Sequence, residues 1–232
     1  MVKEAEEGKE GEEMRVLVAC EESQVVCKAF REKGHEAYSC DIIECSGGHP
    51  EWHIRWDVIP LLNGNCSFLT CDGELHQIDG KWDLIIAHPP CTYLTPAGAC
   101  NIPKHPERIQ QGFEAAEFFK KFLNAECKRI VVENPPPMKR FNLPKYTQII
   151  QPYYFGDPYN KRTCLWLKGV NELKPTNIVE PQKNKYKWFS HSLGKEMTLS
   201  MWYQKANKNG EWSKNRSKTF PGIAKAMAEQ WG

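Results

Sequence analysis

The sequence lacks an apolar run long enough to cross a bilayer, and its first residues are acidic, unlike a secretory leader. These absences predict a cytoplasmic protein with no targeting signal, no membrane contact and free thiols on its ten cysteines. A Cys-x-x-Cys pair is also missing, so no bound metal is expected. The remaining zinc candidates have only loose spacing: Cys40, Cys45, His49 and His53, or Cys66 and Cys71.

Charge is unevenly distributed along a chain whose formal net charge is only +2. Residues 1–13 carry six glutamates against two lysines, which predicts a disordered acidic tail. Residues 170–218 carry nine lysines and Arg216 against four glutamates. Lysines interleaved with aromatics, as at Lys187 and Trp188, suit phosphate contact combined with base stacking. The alternative is a small lobe whose aromatics form its own core and whose lysines are solvated.

The opening of the folded region predicts a strand, a helix and a second strand. Arg15 to Ala19 is the first strand, Ser23 is the expected N-cap of the helix, and Gly34 is its expected C′ residue. Residues 35–39 form the second strand, and Asp41 follows it. This order is typical of a Rossmann unit, in which a carboxylate about 20 residues after the first turn binds ribose hydroxyls.

The first turn reads Cys20-Glu21-Glu22-Ser23 and lacks the glycines of a phosphate-binding loop. Two carboxylates would repel a pyrophosphate, so a dinucleotide is disfavoured. A cofactor without phosphate and with a positive centre, such as S-adenosylmethionine, fits better. The alternative is that Glu21 and Glu22 are only the solvated first turn of a helix.

The most informative stretch is Trp82 to Ala97. Its apolar residues Leu84 to Ile86 do not alternate, which predicts a central parallel strand. Pro89 and Pro90 end the strand, so Cys91 is expected at the carboxyl edge of the sheet, where open α/β folds bind ligands. A thiol there can be a nucleophile; the alternative is an ordinary buried cysteine.

Further elements follow from the same patterns. A strand over residues 129–132 precedes Glu133 and Asn134, which brings both to the edge that holds Cys91; a structural ion pair is the alternative role for Glu133. Three further strands are predicted, over 52–57 with Asp57 at its end, over 149–155 and over 164–167, together with a hairpin within 63–81. Two further helices are predicted: one with the core stripe Phe113, Ala116, Phe119 and Leu123, and a final one over 221–231.

In their order these features resemble the cytosine-C5 DNA methyltransferases, in a compact form of the kind found in phage and prophage genes. Pro90-Cys91 resemble the catalytic Pro-Cys pair of that family, and Glu133-Asn134 its Glu-Asn pair. Arg15 to Asp41 is similar to the cofactor unit, Asp57 to the acid near the adenine amino group, and residues 155–161 to the Gly-x-Pro-Gln-x-Arg turn.

The resemblance implies a Rossmann-like α/β methyltransferase domain over residues 14–169, a small basic substrate-contacting lobe over 170–218 and a helix over 219–232 that packs back on it. It also implies the cofactor S-adenosylmethionine, a nucleic acid partner with DNA favoured, and a bacterial or phage-infected cell. The implied catalytic residues are Cys91, Glu133, Asn134 and Pro90. The implied cofactor-binding residues are Cys20, Glu21, Ser23, Asp41, Ile42, Asp57 and Pro89. The implied substrate-binding residues are Thr92, Lys161, Arg162, Lys187 and Trp188.

In the implied reaction, the Cys91 thiolate attacks carbon 6 of cytosine and carbon 5 is then methylated. Glu133 shares a proton with nitrogen 3 of the base, and a raised pKa in a proline-walled pocket would help it do so. The target base must leave any duplex.

The chain departs from the family pattern at three places. The cofactor turn lacks Phe-x-Gly-x-Gly, and Tyr159 and Lys161 replace a glutamine and an arginine in the late turn. Ser217-Lys218-Thr219 stands where Gly-Asn-Ser is usual, and the target-reading region is short.

Three other functions compete with this one. An exocyclic-amine methyltransferase would use His88-Pro89-Pro90 as a distant relative of the Asp-Pro-Pro-Tyr loop and would not need Cys91. The substrate of a cytosine methyltransferase could be RNA or a nucleotide. A nucleic-acid-binding module with a degenerate Rossmann core would not bind S-adenosylmethionine.

Overall fold

The computed structural model describes residues 12–182, 185–190, 194–200 and 217–232. The strands are β1 (Arg15–Ala19), β2 (Glu36–Asp41), β3 (His53–Arg55), β4 (Cys66–Leu69), β5 (Leu75–Ile78), β6 (Leu84–Ala87), β7 (Ile130–Asn134), β8 (Gln148–Ile150), β9 (Thr163–Lys168), β10 (Lys185–Ser190) and β11 (Lys195–Ser200). The α-helices are α1 (Val25–Arg31), α2 (Arg108–Leu123) and α3 (Pro221–Trp231). Residues 1–11 of the predicted acidic tail, which spans residues 1–13, lie outside the described residues.

Seven strands form one mixed sheet in the order β3-β2-β1-β6-β7-β9-β8. The first five run parallel, whereas β9 is antiparallel to both β7 and β8. The pairs β4–β5 and β10–β11 form separate two-stranded antiparallel sheets. The predicted α/β class is therefore confirmed, and this sheet is compatible with a Rossmann-like fold.

Two apolar layers cover the sheet because alternate residues of each central strand point to opposite faces. On β6, Leu84 and Ile86 pack with the layer of α1 and α3, whereas Ile85 and Ala87 pack with the layer of α2. Every side chain of β6 is buried, as the unalternating sequence predicts. In the described part of the chain, no helix is long and apolar enough to cross a membrane.

Most predicted elements are present, and several boundaries are corrected. The bounds of β1 and α3 are those predicted, and the hairpin before β6 is confirmed. The predicted strand over 52–57 is shorter and covers only residues 53–55, as β3. The predicted strand over 149–155 starts one residue earlier and ends at Ile150, as β8, because a turn of 3-10 helix begins at Pro152. Phe113 of the predicted core stripe is 44% exposed, and its ring packs edge to face with that of Phe141.

The two ends of α1 give opposite outcomes. Gly34 has φ +85°, and the amides of Gly34 and His35 donate to the carbonyls of Arg31 and Phe30. This is the Schellman pattern that a C′ glycine forms, as predicted. Ser23 is not the N-cap, because Gln24 occupies that position with a left-handed backbone, φ 58°.

Candidate active site

The candidate site lies where the order of the strands reverses. From β1 the chain proceeds outward through β2 and β3, and then returns to form β6 on the other side of β1. Open α/β sheets bind ligands at such a switch point, beyond the carboxyl ends of the strands. Here the crevice is bounded by the turn Cys20–Gln24 and the loop His88–Cys91, and the His88 amide donates to the Ala19 carbonyl over 2.9 Å.

The proline loop after β6 is held by Asn134. Its side-chain Nδ2 donates to the Pro89 carbonyl oxygen over 2.7 Å, and Asn134 itself is buried with 1% exposure. Pro89 is buried and Pro90 exposed. The carbonyl of Cys91 accepts hydrogen bonds from the amides of the residues three and four positions later, so the loop turns tightly after the cysteine. Cys91 is partly exposed and therefore accessible at the edge of the crevice.

Glu133 lies beside His88 on the neighbouring strand. The register of β6 and β7 pairs Ala87 with Val132, so the next residues on the two strands are also neighbours. His88 Nδ1 donates to Glu133 Oε2 over 3.2 Å, and the two side chains are only 8% and 12% exposed. Both Glu133 and Asn134 belong to β7 itself, whereas the sequence predicted them just beyond it.

The prediction of a raised pKa for Glu133 is wrong. Burial by itself raises the pKa of Glu133, but the hydrogen bond from His88 and the positive charge of Lys161 lower it by more. The charge of His88 and a hydrogen bond from the Thr163 side chain lower it further. The pKa of Glu133 is therefore below its ordinary value, and Glu133 is ionised at neutral pH. The proline-walled pocket does exclude water, but it also supplies hydrogen-bonding and positively charged neighbours.

The antiparallel strand β9 supplies those neighbours. Because β9 runs opposite to β7, Lys161 and Thr163 at its beginning lie at the edge where β7 ends. Thr163 is buried, and the ammonium of the half-buried Lys161 lies 5.6 Å from the centroid of the Phe220 ring. Arg162, between them, is exposed. Of the predicted substrate-binding residues, Lys161 is thus the one whose charge reaches Glu133.

The first turn uses its acidic side chain internally. Glu21 Oε1 and Oε2 accept hydrogen bonds from the amides of Val26 and Cys27, over 2.7 and 3.1 Å. This satisfies two amides at the start of α1 that have no partner within the helix. Glu21 is 4% exposed, and burial raises its pKa although the positive charge of His88 opposes the shift. Any contact of Glu21 with a ligand would therefore involve its main chain.

The turn is also strained and anchored. Cys20 and Gln24 both have φ 58°, a left-handed backbone that side chains other than glycine seldom adopt. The Gln24 side chain exchanges two hydrogen bonds with the backbone of His49, over 2.8 and 3.1 Å. This anchor joins the first turn to the loop after β2, and it was not predicted because the two segments are 25 residues apart in sequence. Ser23 is 7% exposed and close to this anchor in sequence.

The acids predicted to bind the cofactor gather around Cys20. Burial raises the pKa of the Cys20 thiol, and the charges of Asp41, Cys40 and Asp57 raise it further, so these groups are neighbours. Asp41 is the last residue of β2, and burial raises its pKa against the hydrogen bonds from the amides of Ile43 and Ile42. Asp57 is exposed, and its Oδ1 accepts the Ile59 amide over 3.0 Å.

Ile42 gives this half of the crevice an apolar surface. It is 74% exposed directly after Asp41, an unusual position for a large aliphatic side chain. The carboxylates of Asp41 and Asp57 together with Ile42 suit a ligand that has a positive centre, hydroxyl groups and a flat apolar ring. They do not suit a phosphate. The residues therefore fit S-adenosylmethionine and do not fit a dinucleotide.

The remaining predicted substrate-binding residues lie in separate places. Thr92 is exposed, and its carbonyl accepts Arg108 Nη2 over 3.4 Å. Lys187, on β10, is exposed and 3.4 Å from Glu196. The backbone of Trp188 lies on the same strand, and its side chain is outside the described part. Thr92 thus borders the candidate site, whereas Lys187 and Trp188 belong to the β10–β11 hairpin.

No group of three potential ligands in the described ranges could hold a metal ion. In one zinc candidate, the His53 ring is already engaged at both nitrogens, with the Ser39 hydroxyl and the Ile43 carbonyl, each at 2.9 Å. The nine cysteines whose state the structure gives form no disulfide bond.

Comparison with models of protein families gives no match for this sequence, and comparison with curated proteins gives none either.

Proposed function

We propose that this protein is an S-adenosylmethionine-dependent methyltransferase that acts on carbon 5 of cytosine in DNA. The observation that carries the proposal is the hydrogen bond from Asn134 to the Pro89 carbonyl. It fastens the Cys91 loop to the strand end that bears Glu133, so a thiol and a carboxylate belong to neighbouring segments at the carboxyl edge of the sheet. Transfer to carbon 5 needs this pair, because carbon 5 of cytosine is a poor nucleophile until a thiolate has added to carbon 6.

In this mechanism Cys91 attacks carbon 6 as the thiolate, and the electron pair of the carbon 5–carbon 6 bond moves into the ring. Proton transfer to nitrogen 3 favours the attack. Glu133 is the group that reaches nitrogen 3, and Asn134 keeps the loop in place. When bound, S-adenosylmethionine would supply the methyl group, held by Asp41, Asp57, Ile42 and the main chain of residues 20–23.

The exocyclic-amine alternative is less well supported. There the carbonyl of the proline loop and the polar residue before it bind the amine. Here one lone pair of the Pro89 carbonyl already accepts the Asn134 amide, and the His88 ring is turned toward Glu133. The exocyclic-amine arrangement does not use Cys91, whereas transfer to carbon 5 requires it, so the cysteine separates the two functions experimentally.

The β10–β11 hairpin supports a nucleic acid partner. Lys187 and Lys195 are exposed on it, and Phe189 is 48% exposed. Cations that contact phosphates make binding weaken as salt increases, whereas aromatic stacking is less sensitive. DNA is favoured over RNA because of the family resemblance rather than because of any contact in the hairpin.

The test uses Cys91→Ser, with Cys71→Ser as the control because Cys71 is an exposed thiol outside the proposed site. Each protein is incubated with methyl-labelled S-adenosylmethionine and, separately, duplex DNA, single-stranded DNA, RNA or cytidine nucleotides. Nucleoside mass spectrometry then identifies the methylated base and position.

We expect 5-methylcytosine from the wild type and from Cys71→Ser, with the product of Cys91→Ser at least 10³-fold lower, on the order of losses seen when a nucleophile is removed. N4-methylcytosine or N6-methyladenine formed equally by Cys91→Ser would refute the proposal in favour of an amine acceptor. Methylation of RNA or nucleotides alone would correct the substrate. No product and no donor binding by calorimetry would leave a binding module.

A further inference from the structure

His88 occupies the middle of the candidate site. It follows β6, between the ends of β1 and β7, and its side chain is 8% exposed. On one side, Nδ1 donates to Glu133 Oε2 over 3.2 Å. On the other, its charge acts on the buried Glu21 carboxylate. The His88 imidazole thus has a carboxylate neighbour on each of two elements, Glu133 on β7 and Glu21 in the turn after β1.

The second ring nitrogen has no obvious structural role. His88 Nε2 is buried and makes no hydrogen bond with any described part of the chain. Buried polar atoms in folded proteins nearly always have a partner, and exceptions call for an explanation. Asn134 Oδ1, on the residue that holds the proline loop, is a further atom of this kind at the same edge. Two open polar atoms beside the Cys91 loop indicate a place that a ligand completes.

The proposed reaction needs a proton that Glu133 does not hold by itself. Nitrogen 3 of cytosine must be protonated as the thiolate adds to carbon 6, but Glu133 is ionised at neutral pH in the free protein. The proton-bearing side chains that act on Glu133 are those of His88, Lys161 and Thr163. Of these three, only an imidazole exchanges its proton readily near neutral pH.

We infer that His88 stores the proton that Glu133 delivers to nitrogen 3 of the target base, so that the reacting acid is the His88–Glu133 pair. The inference rests on the proposed function. His88 acts through Glu133 and is a positioning and proton-storing residue, one that the sequence analysis considered only for an exocyclic-amine enzyme.

As the sulfur–carbon 6 bond forms, the π electron pair of the carbon 5–carbon 6 bond moves toward carbon 4 and nitrogen 3. Glu133 takes the Nδ1 proton of the His88 imidazolium and passes a proton to nitrogen 3, so imidazole and carboxylate remain beside the protonated ring. After methyl transfer, the proton on carbon 5 leaves to water acting as base, and its bonding pair re-forms the carbon 5–carbon 6 double bond as the sulfur–carbon 6 bond breaks and the thiolate leaves. The proton on nitrogen 3 then returns to Glu133 and to His88.

The charged groups around the His88–Glu133 pair come from two further elements. Glu21, in the turn after β1, interacts with His88, and Lys161, just before β9, interacts with Glu133. A merely structural His88 would orient Glu133 through the same hydrogen bond, but the rate would then not depend on the protonation of His88.

The test is the pH profile of kcat with the substrate that the wild type methylates. In His88→Asn, the amide can still donate to Glu133 but cannot ionise. We expect the wild-type rate to rise with pH as the Cys91 thiolate forms and to fall at higher pH as the pair loses its proton. His88→Asn should be about 10²-fold slower, with KM little changed, and its falling limb should be absent.

Two further variants make the result decisive. His105→Asn is the matched control, because His105 also donates to a carboxylate, that of Glu107, over 3.2 Å, but both side chains are exposed; it should retain the wild-type profile. Glu133→Gln should lose the same falling limb of the pH profile as His88→Asn. It replaces His88→Asn as the test variant if His88→Asn unfolds at a lower temperature than the wild type.

A slow His88→Asn that keeps the wild-type falling limb would show a structural role only and would overturn the inference while the proposed function stands. The same holds if the rate of His88→Asn equals that of the wild type. A wild type that adds no methyl group to any cytosine would overturn the proposed function and this inference together.

Discussion

At the scale of single residues, two buried carboxylates at one sheet edge differ in their electrostatic state. Glu133 has a lowered pKa because His88, Lys161 and Thr163 outweigh its burial. Glu21 has a raised pKa because burial outweighs His88 and the two amides that it caps. Burial alone therefore does not decide the protonation of an acid; the neighbours that burial brings with it do.

This difference predicts opposite pH dependences of stability. The stabilisation from ionised Glu133 is fully present above the ordinary glutamate pKa, about 4.3, and is lost as the pH falls through the lower folded value. The unfolding free energy of the wild type minus that of Glu133→Gln should therefore shrink as the pH falls below about 4.3. Urea unfolding between pH 3 and 7 measures it.

Glu21→Gln should give the opposite slope. Because the pKa of Glu21 is higher in the folded than in the unfolded protein, its ionisation lowers stability as the pH rises from the unfolded-state pKa through the folded-state pKa. The wild type should thus gain stability relative to Glu21→Gln as the pH falls toward 4. Parallel slopes for the two variants would contradict the assignment of opposite shifts.

At the scale of elements, α2 reaches the candidate site indirectly. Gly112 lies within α2, and a Cβ at this position would be 2.1 Å from the Phe141 ring, which is fully buried. Phe141 ends the turn that begins after Met138, whose amide donates to the Leu94 carbonyl over 2.7 Å. Leu94 closes the turn after Cys91, so the packing of α2 supports the Cys91 loop from behind.

Gly112→Ala should therefore lower both stability and activity. Alanine favours a helix over glycine by about 1 kcal/mol, but overpacking against Phe141 costs about 1–3 kcal/mol. We expect a net loss of unfolding free energy and a lower kcat because Met138 and Leu94 shift. Gln110→Ala, on the exposed face of α2, should change stability by less than about 0.5 kcal/mol. A stabilised Gly112→Ala would show that the Phe141 ring gives way freely.

Elements with a clear pattern could be predicted from the sequence, and contacts between distant segments could not. The unbroken apolar run Leu84–Ile86 and the proline pair after it place the Cys91 loop without a structure. The loss of the 149–155 strand after Ile150 depends on Pro152, and the exposure of Phe113 depends on how α2 sits on Phe141. The His88–Glu133 pair depends on strand register, which no local pattern specifies.

At the scale of the whole molecule, α3 returns to close the face formed by α1. Ile223, Met227 and Trp231 join the apolar cluster of Val26 and Phe30. Trp231 is 2% exposed, its Nε1 donates to the Asn171 carbonyl over 3.0 Å, and its own carbonyl accepts Arg129 Nη2. Arg129 precedes β7, so this end of α3 lies at the amino edge of the sheet, opposite the candidate site.

Trp231→Ala should therefore separate stability from catalysis. Removal of a buried tryptophan costs about 3–5 kcal/mol, which urea unfolding would measure. The kcat of the protein that remains folded should match that of the wild type, since the site is at the other edge. Lys225→Ala, on the exposed face of α3, is the control for stability. A kcat reduced in proportion to stability would mean that α3 also shapes the crevice.

The reversed direction of β9 has a consequence for how this protein could be redesigned. Segment 151–162 enters the crevice from outside the sheet, and its two ends are joined where the Gln151 side chain accepts the Lys161 amide over 3.0 Å. Asp157 in its middle accepts the Gly222 amide over 3.0 Å. Between these anchors Phe155 is buried in the core, whereas Asn160 is exposed, so we expect substitutions of Asn160 to leave the register of β6 against β7 unchanged. Under the proposed function, substitutions there would alter substrate preference while Cys91 and Glu133 keep their places.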